Sequence, residues 1–146
     1  MDDKPYVAVA CLADKVLMEK DGVISLIRVI DKFTVAIPPG LPDDIRPTVE
    51  TTLVTALRYP NFKGALEITI KMHGPTEAAP AQTFAAEFPG GWSSGSNMIT
   101  TLLLGVKSFG ECRIELWWED QLLSVVPFTL EQREAQPDSP ASGPTK

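Results

Sequence analysis

Apolar and polar residues alternate almost without error from Ala65 to His73. Leu66, Ile68, Ile70 and Met72 share one side; Glu67, Thr69, Lys71 and His73 share the other. A period of two marks a half-buried antiparallel strand. The pattern returns at Cys112–Trp118, with Cys112, Ile114, Leu116 and Trp118 inward and Arg113, Glu115 and Trp117 outward. Tyr6–Leu12 reads as a first strand, with Val7, Val9 and Cys11 on the core side, and Lys15–Glu19 extends it. Asp21-Gly22 supplies the positive φ of a tight hairpin turn. The returning strand, Val23–Ile30, is apolar on both faces, which predicts a central strand, and Lys32–Ile37 continues the extended chain.

Pro38–Pro42 breaks the pattern, and Asp43–Pro47 is a connector with room for one helical turn. Thr48–Tyr59 fits a helical face through Val49, Leu53, Ala56 and Leu57, but its threonines favour a strand. Thr83–Phe88 is a short strand. Asn97–Val106 is apolar and reads as buried. Gly110–Trp118 pairs with Gln121–Leu130 through Glu119-Asp120. Pro127 within that last strand predicts a bulge or an edge. Phe128 is expected in the core, with Leu122 and Ser124 on the same side.

About eight short strands separated by Gly/Pro turns, with no helical repeat, predict an all-β protein. The expected architecture is an antiparallel β-sandwich, immunoglobulin-like in general shape. Residues 1–5 form an N-terminal arm and 6–131 the sandwich. Residues 132–146, with three prolines and no large apolar side chain, form a disordered tail.

Composition narrows the function classes. The chain has 146 residues, enough for one domain with a core of its own. A net charge of −6 opposes phosphate-driven binding, so nucleic acid is not an expected partner. No apolar run approaches the ~20 residues of a membrane helix. Met1-Asp-Asp-Lys-Pro lacks the basic, then apolar, pattern of an export signal. These features together predict a cytoplasmic protein with no membrane partner. Cys11 and Cys112 read as buried thiols, and with neither further cysteines nor a nearby histidine they cannot form a structural zinc site. The acids cluster in turns without calcium-loop spacing. Neither a metal nor another cofactor is expected.

Candidate chemistry is sparse. Gly91-Trp-Ser-Ser-Gly95 matches the G-x-S-x-G of hydrolases, but the segment after it reads as a strand, and the single histidine, His73, precedes the serine. Catalysis by Ser93 is therefore a remote alternative, and no catalytic residue is expected. Trp117, facing outward beside Leu123 and Val125 of the neighbouring strand, suggests a protein interface. Trp92, Ser93 and Ser94 on the glycine-rich loop suggest a second possibility, a small-ligand or carbohydrate-binding site.

Val9-Ala-Cys11, the hairpin through Asp21-Gly22 and Ser25–Asp31 together resemble the opening of a family of small uncharacterised bacterial β-sandwich proteins. Phe109–Leu116 and Leu122–Leu130 are similar to that family's final hairpin. The chain differs at Ala13, Val23 and Arg28, where the pattern has an acid, a lysine and a glycine. The resemblance implies a fold and no activity. The expected function is non-enzymatic binding or assembly, through a protein partner or self-association, with a homodimer as one form.

Overall fold

The structure, a computed structural model, describes residues 3–75 and 80–133. Nine strands are found among them and no helix: β1 (Tyr6–Met18), β2 (Ile24–Ile30), β3 (Lys32–Ala36), β4 (Thr48–Arg58), β5 (Lys63–His73), β6 (Gln82–Pro89), β7 (Gly95–Gly105), β8 (Gly110–Trp118) and β9 (Gln121–Arg133). They form a four-stranded sheet, β2-β1-β4-β7, and a five-stranded sheet, β3-β9-β8-β5-β6. This is an immunoglobulin-like sandwich, with the successive strands distributed between two packed sheets. All pairings are antiparallel except β3 with β9, which is parallel. Asp43–Pro47 holds a hydrogen-bonded turn, Ile45 N–H to Pro42 C=O, and not a helix.

Alternation places the core. Leu12 of β1, Leu53 and Leu57 of β4, and Leu102 and Leu104 of β7 face Ile68 and Ile70 of β5, Ile114 and Leu116 of β8, and Phe128 and Leu130 of β9. β3 adds Phe33 and Val35, so a five-residue strand seals one side. Thr48–Tyr59 is a strand for most of its length, because Val49, Leu53 and Leu57 all reach the core from one face. Pro127 is accommodated because β3 begins pairing with β9 only at Thr129. At Pro127 the strand is still an edge and needs no N–H donor on that side.

Several expectations are overturned, three of them by position. β2 is apolar on both faces, yet it is an edge strand paired with β1 alone. β7 is the opposite edge, and its Ile99 and Leu103 are exposed. β9 runs on to Arg133, two residues past the expected end of the domain. The expected tail from residue 134 onward lies outside the described residues.

The others come from two bulges. The register of β1 on β4 shifts between Val7 and Val9. A single extra residue reverses which side chains face inward. Val7, Ala10 and Leu12 therefore reach the core, while Val9 and Cys11 face outward. The second bulge lies between β8 and β9. Leu116 pairs with Ser124 and Trp117 with Leu122, which leaves Leu123 as the extra residue. Leu123 packs against the core, and Leu122, expected inside, is 46% exposed.

Candidate functional site

Three surfaces carry chemistry. The first is the outer face of the five-stranded sheet. Here Lys71 and His73 of β5 lie opposite Glu115 and Arg113 of β8, and Trp117 lies opposite Thr69. Glu115 is buried, an unusual place for a carboxylate on a sheet surface. It is fully engaged: His73 Nε2 stands 2.6 Å from Oε1, Trp117 Nε1–H donates to Oε1 at 3.2 Å, and Arg113 Nε lies 3.4 Å from Oε2. Burial pushes its carboxyl up, but the bonds from Trp117 and His73, with the charges of His73 and Arg113, outweigh it. The net effect holds Glu115 below the ordinary carboxylate range.

Lys71 Nζ sits 4.6 Å from the centre of the Trp117 ring, a cation–π contact. Trp117 is thus half-buried and braced by two charged neighbours. The interface expected at Trp117, Leu123 and Val125 is reduced by the bulge. Val125 and, in place of Leu123, Leu122 are the aliphatic residues of this strip. Sequence reasoning placed Glu115 with the solvated side chains. Its partner His73 is 42 positions away in the chain, and no local spacing announces the pair.

The second surface is at the Trp92 loop. Ser94, expected to meet a ligand, is buried and structural. Its hydroxyl donates to Phe62 C=O at 2.6 Å and accepts from Gly90 N–H at 3.1 Å. Backbone bonds from Asn61 N–H and Ser94 N–H both end on Gly91 C=O, and Tyr59 N–H donates to Ser94 C=O. The loop is therefore pinned. Ser93 is exposed, and the chain passes from Gly95 directly into β7, without the strand-to-helix elbow of a G-x-S-x-G hydrolase. His73, its only histidine, lies with Glu115 and Arg113 on the outer face of the other sheet.

Trp92 remains 71% exposed at the tip of this pinned turn. Together with Tyr6, Tyr59, Asp3, Lys4 and Asn61 it lines an open cleft of about 670 Å³. Sequence reading found Trp92, but not the two tyrosines. They come from the start of β1 and the end of β4, which only the pairing Tyr6–Arg58 brings together.

The third surface was not anticipated. On the outer face of the four-stranded sheet, Cys11, Val54 and Ile99 form one row across three strands, and Val29 stands next to Ala13 in the adjoining row. Val9, Ile27 and Leu103 extend it. Val29 is 64% and Leu103 66% exposed. Cys11 is half-buried there, and burial pushes its thiol up. At four strands by about eight residues the whole face, its polar positions Lys15, Glu50, Thr52 and Thr101 included, covers on the order of 500 Å². In the sequence this surface shows only as β2's two apolar faces, a pattern that a central strand shares.

No family model and no curated protein matches this chain. Among solved structures, it is similar to an immunoglobulin-like protein from Pseudomonas aeruginosa. The match has 11% identity and a TM-score of 0.48, and covers 88% of this chain and 97% of that one.

Proposed function

We propose that this protein is a non-enzymatic binding and assembly module that pairs with a second copy of itself through the outer face of the four-stranded sheet. One observation carries the reading: exposed apolar side chains on β1, β2 and β7, namely Val9, Ile27, Val29, Ile99 and Leu103, flank the buried Ala13 and Val54 on this face. The largest apolar patch on a monomer, typically about 300–600 Å², is often functional. A flat sheet face suits a two-fold contact, in which the same patch serves both partners.

Charge favours a second copy over a charged partner. The molecule carries −6 overall, but on β1 and β4 this face presents charges of both signs, Lys15 opposite Ile27, Glu50 opposite Leu103, and Arg58 at the end of β4. The strip at Trp117 is a weaker candidate, because Lys71, His73, Arg113 and Glu115 occupy most of its surroundings.

Sedimentation equilibrium of the full chain tests this. The wild type should sediment as a dimer. Val29→Glu combined with Leu103→Glu should sediment as a monomer that still unfolds cooperatively, since both side chains are exposed in one chain. A wild type that stays monomeric at high concentration would refute the proposal.

A further inference from the structure

We infer that the cleft between Tyr6, Tyr59 and Trp92 is a saccharide-binding site. Its position at the start of β1 and the ends of β4 and β6 lies outside the apolar rows proposed for assembly, so the two readings fail independently.

The argument begins with Trp92. A large ring in a loop of glycines and serines usually anchors the loop by packing inward. Here the anchoring falls to Ser94, and the Trp92 ring is left in water. A ring held outward from a pinned turn forgoes the stabilisation of burial, which a ligand covering it would supply. Tyr59 is fixed as well. Its ring stacks on Phe62 at 4.7 Å and 7° between planes, and its hydroxyl donates to Asp3 C=O at 3.0 Å. Burial and the nearby Asp3 carboxylate push the Tyr59 phenol up, so it stays a donor. Tyr6, half exposed, completes a set of three aromatic residues.

The polar rim selects the ligand class. Asp3 offers a carboxylate that only accepts hydrogen bonds, Lys4 an ammonium that only donates, and Asn61 an amide that does both. A sugar presents C–H faces that lie against aromatic rings and hydroxyls that donate and accept at its edge. The other ligand that favours aromatic grooves is a proline-rich peptide. Proline has no N–H, so such a peptide has little to give the Asp3 carboxylate. A volume of about 670 Å³ is of the size that small-ligand sites occupy, enough for one or two sugar rings.

A glycan array probed with the full-length protein, followed by calorimetric titration of the best soluble oligosaccharide, tests the inference. Binding should saturate. Trp92→Ala should weaken it at least tenfold, and Tyr6→Ala several-fold, with both variants melting as the wild type does. Trp92→Tyr, which keeps an aromatic face, should restore most of the affinity. An empty array, or affinity indifferent to Trp92→Ala, overturns the site. Binding of a synthetic peptide of residues 136–146 that is lost in Trp92→Ala, with no glycan bound, overturns the saccharide assignment in favour of proline-rich ligands.

Discussion

The bulge between β8 and β9 determines which residues of the last strand hold the domain together, and two alanine substitutions measure it. Phe128 is 3% exposed and meets Phe33 edge to face, with ring centres 5.8 Å apart at 87°. Truncating a buried phenylalanine to alanine costs about 3–5 kcal/mol through lost transfer energy and the cavity left behind. Of this, about 0.5–1.5 kcal/mol belongs to the aromatic pair. For a domain of this length each kcal/mol lowers Tm by roughly 3–5 °C, so Phe128→Ala should melt on the order of 10–20 °C below the wild type. Leu122 is six residues away, and simple alternation from Phe128 would put it on the same inward side. The extra residue Leu123 turns Leu122 outward instead, where it is half exposed. Leu122→Ala should therefore cost under about 1 kcal/mol. Urea unfolding followed by circular dichroism measures both. Equal losses for the two variants would refute the bulge and return Leu122 to the core.

Two further outcomes follow from individual side chains. Glu115 is held below the ordinary carboxylate range, so the stability it contributes is present above the unfolded value near 4.5 and is lost as pH falls through its lower folded value. Glu115→Gln should flatten the acid limb of the stability–pH curve below about pH 4.5, measured by urea midpoints across pH; an unchanged slope would show that the carboxyl titrates normally. Arg28 holds φ at +55°, a conformation costing a non-glycine residue about 1–2 kcal/mol, and its ion pair with Asp14 is long and solvent-exposed. Arg28→Gly should raise stability by about 0.5–1 kcal/mol in the same urea assay, the relieved strain exceeding the lost pair and the added freedom of the unfolded chain.

Much of the fold was legible because alternation is a local property. Ile68, Ile70, Ile114 and Leu116 declare their facing through neighbours two positions away, and all are buried. Even the backbone at Arg28, where the family resemblance led to a glycine, takes the left-handed conformation glycine favours. What the sequence hid depends on the count of residues between distant partners. The bulges at Val7–Val9 and at Leu123 each insert one residue, and that suffices to turn Cys11 out, Leu122 out and Leu123 in. Strand order was hidden for a different reason. An apolar outer face looks the same in sequence whether a neighbouring layer of the same chain covers it or another molecule does, and β2 and β7 turned out to be edges. The candidate cleft was legible in Trp92 alone, because Tyr6 and Tyr59 join it only through sheet pairing.

The parallel contact of β3 with β9 also sets a timetable. Lys32 pairs with Thr129, across almost the whole length of the domain, whereas the hairpins β1–β2, β5–β6 and β8–β9 are local. Long-range pairings close late, because the loop entropy is lost before any contact compensates for it. During synthesis β3 leaves the ribosome early and must then wait, with Phe33 and Val35 unshielded, until almost the entire remaining chain has emerged. The nascent protein therefore carries an exposed apolar strand through most of its translation.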